Sequence, residues 1–333
     1  MAIKLMKNMI RGLRDVSILA LDVMYHYYRY LRYSGMIIKL KGKAREYKVI
    51  RIYHALEKSL SYRNRNSDSG WGVAKMLVKF LTEKEFTNEN ITQHEKVAIR
   101  TLVQFVDAAQ KTGKDYDFVK SFTDRYSSLS SDNGGTIDYT RQHLDQGKLE
   151  NPEIFFNSRY TVRDFSSRPV ERDIILHALS LANKTPSACN RQAWHVYHLD
   201  QRNLIDFALR HQSGNRGFGH EVPSLLIVAS DVRAFEPPCE LNQQLIDGGM
   251  YAMSIVMALH SLGVGSCCLN WSKGMVGDVI FRKHVPIDPC HTVIMMLAVG
   301  YPNEELRVCS SVRSPIQSLY THLDKSALKW AKD

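Results

Sequence analysis

Three residues at alternate positions, Arg159, Thr161 and Arg163, offer the clearest chemistry in the chain. In an extended segment they project from one side, while Tyr160, Val162 and Asp164 point away. Such a comb reads an anion: Arg159 can fork two phosphate oxygens, Thr161 adds a hydroxyl donor, and Arg163 supplies a charge that no ordinary pH removes. A second polar cluster follows, Thr185 to Trp194, with Pro186, Ser187, Asn190 and Gln192 packed ahead of a tryptophan. Turn formers mixed with amide donors suit a loop that hydrogen-bonds the edge of a polar ring.

Between the clusters must lie an element that sets their separation. Pro169, Glu171 and Asp173 suit a helix start, and Ile174, Ile175, Ala178, Leu179 and Ala182 give it one apolar face. Beyond the loop, His195 to Leu199 alternates like a strand and Ser224 to Ala229 reads as a buried one. Leu241 to Leu262 forms a long helix, apolar on nearly every side in its second half, which must be covered by a core or a subunit interface. Strand-like Ser266 to Trp271, a short helix from Met275 to Arg282, and a last strand from Thr292 to Val299 complete the order.

On these residues the sequence resembles the nitroreductase family of FMN-dependent oxidoreductases. Arg159, Thr161, Arg163 and Phe165 meet the pattern Arg-x-Ser-x-(Arg/Lys)-x-Phe, with threonine for serine. Pro186, Ser187, Asn190, Gln192 and Trp194 meet Pro-Ser-x-x-Asn-x-Gln-Pro-Trp, with Ala193 in place of the proline. The likeness runs over roughly residues 152 to 320 and ends in Gly300-Tyr301-Pro302.

The resemblance implies an α+β fold with a central antiparallel sheet flanked by helices, FMN as cofactor, NAD(P)H as electron donor, and a homodimer with FMN at the interface. It implies FMN contacts from Arg159, Tyr160, Thr161, Arg163, the 186–192 loop, backbone near Leu269 and Asn270 at the flavin edge, and Arg313 at the phosphate. Ser311 stands where some members carry a second cation, so Arg159 or Arg307 would compensate. Arg163 beside the ring would favour the negatively charged reduced flavin. No side chain need act as a catalytic acid or base.

The chain has 333 residues and 44% hydrophobic content, enough for two domains or one large one. Its net charge of +10 is uneven: residues 1 to 65 hold 15 Lys/Arg against 4 Asp/Glu. The expected division is a mostly helical extension over 1–126, a polar linker over 127–151 and a flavin domain over 152–325. Residues 1 to 33 place Ile3, Met6, Ile10, Leu13, Ile18, Leu21 and Met24 at helical spacing among basic residues, then a tyrosine-rich tract. Two readings stand: a helix packed on its own domain with a basic outer face, or one lying on an anionic membrane surface or acidic polysaccharide. No nucleic-acid-binding pattern accompanies the charge.

His54, Glu57 and Lys58 share a helix face, ahead of Gly70-Trp71-Gly72. This tract is similar to one in nitroreductase-like proteins of bacterial surface-polysaccharide clusters, with Ser59 where glycine is usual; it reads either as a local ion pair or as part of a substrate-pocket wall together with Trp71. All six cysteines lie in the C-terminal half without metal or CxxC spacing, which reads as reduced thiols in a cytoplasmic protein. Adjacent Cys267 and Cys268 read as core packing. No run of about 18 apolar residues occurs. Walker A, HExxH and serine-hydrolase patterns are missing, and Gly214 to Gly219 lacks dinucleotide order. A reading of another class is a non-catalytic flavin-binding adaptor at a membrane surface or glycan complex.

Overall fold

A computed structural model describes residues 2–34, 41–63, 66, 69–109 and 115–323, with the side chains of 2–10 and 12 outside the description. The apolar positions Ile3, Met6 and Ile10, and the end of the expected flavin domain at 325, therefore lie outside the described part.

Helices dominate the first half: α1 (Ala2–Tyr33), α2 (Gly42–Ser61), α3 (Trp71–Leu81), α4 (Gln93–Ala108) and α5 (Tyr116–Tyr126). Helix α4 starts at a capping box in which Thr92 Oγ1 accepts from Glu95 N and Glu95 Oε2 accepts from Thr92 N. Glu95 is buried, and Arg45 and Lys84 both pair with it. Gly70, at φ +96°, turns the chain into α3, and a Cβ there would sit 2.7 Å from the Phe105 ring. Leu56, Leu77, Leu81, Ile99, Leu102 and Phe105 fill the core of α2 to α5, which also takes in Ala193, Ala234 and Phe235 from the second half.

Short helices α6 (Arg141–Asp145) and α7 (Pro152–Asn157) lead to α8 (Arg172–Ala182), β1 (Trp194–Leu199), α9 (Arg202–Arg210), β2 (Ser224–Asp231), α10 (Gln243–Ser261), β3 (Gly265–Asn270), α11 (Met275–Arg282) and β4 (His291–Gly300). The strands form a four-stranded sheet in the order β1-β2-β4-β3, every pair antiparallel. The fold is α+β, as expected.

Strand β2 is buried at every position because both sheet faces are covered. Leu225 and Ile227 point to a core shared with α9 and α11, and Leu226 and Val228 to one shared with α8 and α10. Gly248 lets α10 lie close on the sheet, since a Cβ there would meet Ile294 Cγ1 at 2.6 Å. Helix α10 is only half covered: Leu245, Ile246 and Met253 are each about half exposed, the interface alternative that its all-round apolarity left open.

Helix α1 packs with its polar side inward. Asp22, Tyr25 and Arg29 share one face, and each bonds to the second half: Asp22 Oδ1 accepts from Met275 N at 2.7 Å, Tyr25 donates to Asp278 Oδ2 at 2.8 Å, and Arg29 donates to His291 O at 2.7 Å. Leu13, Val16, Met24 and Tyr27 on the other side are 50–65% exposed. The expectation of a basic outer face is therefore reversed along the docked third.

Candidate active site

Residues 158–165 run beside the edge strand β3. Thr161 bridges Ser266, Val162 N donates to Ser266 O at 3.0 Å, and Phe165 bridges Pro302. Val162 and Phe165 enter the core and fix the segment, which leaves Arg159, Thr161 and Arg163 accessible. Neither Arg159 nor Arg163 pairs with a carboxylate among the described residues, whereas Arg168, Arg191, Arg202, Arg233 and Arg282 all do. Arg163 Nη1 lies 3.6 Å from Cys309 Sγ. A cavity of about 370 Å³ opens here, lined by Ser158, Arg159, Tyr160, His260 and Ser266. Of the comb only Arg159 lines this cavity, with Thr161 and Arg163 outside the lining; a guanidinium with no carboxylate partner among the described residues, beside open space, suits a phosphate.

Arg313 sits on an exposed stretch after Pro302, and its guanidinium donates to Ser311 O. At the far end of β3, Leu269 is buried and Asn270 exposed; Asn270 O accepts from Gln212 Nε2 at 3.1 Å. Gln212 and Gly214 thus border this end of β3, a neighbourhood that nothing in their sequence spacing announced. Burial pushes the Cys267 thiol up, with Arg163 opposing, and pushes the Cys268 thiol up against Arg159. Cys267 packs in the core as expected, whereas Cys268, next along the strand, points to the other face and is exposed, so core packing does not account for it.

The second cluster is a tight loop with Cys189, Asn190 and Gln192 all at positive φ, 53°, 53° and 50°. Such backbone is unfavourable for residues with a Cβ and persists only where surroundings impose it. Arg191 does so. It is 1% exposed in its side chain, forks Glu240 at 2.7 and 2.8 Å, and donates to Ala188 O and Ala234 O at 2.9 and 2.6 Å. The sequence pattern treats that position as a spacer. Within the loop, Gln192 N donates to Ser187 Oγ and Gln192 Nε2 to Asn190 Oδ1, so these groups meet one another in the single chain. Pro186 is exposed at the loop's start.

One chain does not unite the two clusters. Ala188 N bonds to Asp247 near the start of α10, whereas Ser158 Oγ meets His260 near its end. Thirteen helical residues separate those anchors, or about 20 Å. Across the sheet, Thr161 lies outside β3 at one edge and the loop enters β1 at the other, four strand spacings or about 19 Å apart. The clusters occupy diagonally opposite corners.

A different cavity, about 350 Å³, forms where α2 and α4 meet this loop, lined by Lys43, Tyr47, His94, Gln192, Trp194 and Tyr251. His54, Glu57 and Trp71 do not wall it. His54 Nδ1 lies 2.9 Å from Glu57 Oε2, a local pair, and Trp71 packs edge-on to Phe105 inside the helical core. The residues that do face the loop lie earlier on α2.

The nitroreductase family model matches residues 157–215 and 206–301, the part of the chain that carries both clusters, the sheet and α10. This part belongs to the nitroreductase family. A protein of Archaeoglobus fulgidus, provisionally named NADH dehydrogenase/NAD(P)H nitroreductase, is 26% identical over 151 residues, covering 44% of this chain and 83% of the relative. Among solved structures, an FMN-dependent nitroreductase from Clostridium difficile is similar at TM-score 0.41 and 19% identity, covering 54% of this chain and 95% of its own. Another, from Desulfovibrio desulfuricans and solved with FMN, is similar at TM-score 0.45 and 17% identity over 53% of this chain and 99% of its own.

Proposed function

We propose that this nitroreductase-family chain is an FMN-dependent oxidoreductase that takes electrons from NAD(P)H and passes them to a small molecule in a ping-pong cycle. The observation that carries this reading is the pair of unpaired guanidinium groups, Arg159 and Arg163, held beside Thr161 by a core-anchored segment inside the family match. These residues fit a flavin phosphate, with Tyr160 at the rim and Arg313 brought in from the exposed stretch. FMN supplies the hydride chemistry when bound. The chain's own work is to hold the phosphate, to offer Ser187, Asn190 and Gln192 to the ring edge, and to align it along the backbone at Leu269 and Asn270.

Two clusters at opposite corners of one sheet cannot both reach one FMN, so the site is completed by a second copy. The half-exposed face of α10 supplies the apolar surface for that contact. The working division remains a helical region over 1–126, a linker over 127–151 and the flavin region over 152–325, in the cytoplasm. Anaerobic stopped-flow mixing with NADH and NADPH tests the reading: bleaching of bound FMN within seconds supports it, and no bleaching with either donor rejects it.

A second reading, favoured by the outward apolar side of α1, is an adaptor that holds a flavin without turning it over. The exposed stripe through Leu13, Val16, Met24 and Tyr27, with Arg11 and Arg14 on the opposite side of the helix, matches an amphipathic helix lying in a membrane surface. Among the described residues no helix is long and apolar enough to cross a membrane. A role in surface-polysaccharide assembly suits either reading and rests on the likeness around His54 to Ser61.

A further inference from the structure

The glycine-rich run from Gly214 to Gly219, which lacks dinucleotide order, is a loop fastened at both ends. Arg202 of α9 clamps the far end, donating to Gly219 O, His220 O and Val222 O at 3.1, 3.1 and 2.8 Å. Asn215 Nδ2 ties the near end to Leu209 O at 2.7 Å and Gln212 O at 2.9 Å, and Phe218 is buried in the core. Between these anchors Gly217, at φ +90°, turns the chain, a backbone that a side chain would strain. The turn leaves its neighbour Arg216 exposed.

Arg216 lines a cavity of about 280 Å³ together with Asp206, Arg210, Gly217 and His220. The acids nearby are already engaged: Asp206 pairs with Arg202 at 2.6 Å, and Glu221 faces His220 at 3.4 Å. Arg210 lies over the Phe207 ring at 5.8 Å, and neither it nor Arg216 pairs with a carboxylate among the described residues. The Leu209 carbonyl, at the negative end of α9, is taken up by Asn215 and so does not repel an anion. Two guanidinium groups without a counter-charge, on one small cavity, suit the oxygens of a phosphate monoester.

We propose that Arg210 and Arg216 bind a phosphate monoester in this cavity, and that it is the 2′-phosphate of the nicotinamide donor. The second half rests on the flavin reading, in which Leu269 and Asn270 meet the ring edge that the donor's nicotinamide approaches. The loop starts at that edge: a Cβ on Gly214 would lie 3.7 Å from Leu269 Cδ2, and Gln212 Nε2 donates to Asn270 O. Arg216 is two residues further on, at most about 7 Å of chain. A dinucleotide with its nicotinamide at the edge extends past Gly214 to the two arginines, and the chain prefers NADPH to NADH, which lacks that phosphate.

The test is a calorimetric titration of the full-length, FMN-loaded protein, whose flavin-phosphate site is filled, with 2′,5′-ADP, 5′-AMP and inorganic phosphate. The expected result is 2′,5′-ADP binding about 10-fold tighter than 5′-AMP, the worth of one charge-assisted contact, and loss of that preference when Arg210→Ala and Arg216→Ala are combined. Both side chains are exposed, so the double variant keeps the fold. Equal affinity for the two nucleotides in the unaltered protein overturns the proposal, and so does a preference that survives in the double variant. Inorganic phosphate binding as tightly as 2′,5′-ADP overturns the assignment to the donor. Stopped-flow reduction of bound FMN is read separately: no reduction by NADH or NADPH removes the reductase reading and leaves the nucleotide preference to decide the phosphate site.

Discussion

Replacing Arg191 by alanine isolates the device that holds the loop before β1. The side chain is 1% exposed and makes two bonds to Glu240, two to backbone carbonyls and a cation–π contact with Phe235 at 5.0 Å. Breaking a buried pair from one side costs about 3–5 kcal/mol. Glu240 keeps 24% side-chain exposure and a bond from Glu236 N, so water can relieve part of its loss. The expected destabilisation is therefore at the low end, about 3 kcal/mol. The left-handed backbone at 189, 190 and 192 then loses its restraint, and flavin affinity falls with it. Urea unfolding followed by tryptophan fluorescence measures the first effect, and flavin titration the second. The double variant Arg191→Met with Glu240→Leu removes both charges and should recover at least half of the stability. A single-variant loss below about 1 kcal/mol would falsify the claim that this pair over-determines the loop.

Arg159→Ala should weaken FMN by about 2 kcal/mol, a charge-assisted contact, with unfolding unchanged because the side chain pairs with no carboxylate of the described chain. In light scattering the flavin-loaded chain should run as a dimer, and Met253→Glu on the exposed face of α10 should shift it to monomer while releasing flavin; a monomeric holoprotein sinks the shared site. Burial pushes the Cys290 thiol up to about 12, so it should resist iodoacetamide at pH 8 while exposed Cys239 and Cys309 react, as mass spectrometry would show. Deleting residues 1–21 should abolish salt-sensitive binding to anionic vesicles and leave FMN reduction intact; unchanged vesicle binding rejects the surface role of α1.

Strands and core helices are legible because burial writes itself into periodicity. Leu225 to Ala229 shows no alternation, only apolar residues, because β2 is covered on both faces, and the helix at Met275 to Arg282 starts and stops where its pattern does. The two clusters are legible as motifs, but their separation is not, since strand order and the length of α10 set it. Arg191 is hidden inside a motif as a spacer, its role depending on Glu240, 49 positions away. The orientation of α1 is hidden for a related reason. Its polar side reads as solvent-facing until Met275, Asp278 and His291, all far along the chain, supply partners for Asp22, Tyr25 and Arg29.

The stretch from 303 to 323 is almost wholly exposed, and it carries Arg313. Fixing backbone costs about 1–2 kcal/mol per residue ordered, so any anion that draws Arg313 in must offset the entropy of the chain it immobilises. On the proposed reading that Arg313 meets the flavin phosphate, affinity there would be governed by tether length as much as by charge. Shortening the run between Pro302 and Arg313, while keeping its reach, would tighten the site without adding a single contact, and lengthening it would loosen the site with every contact intact.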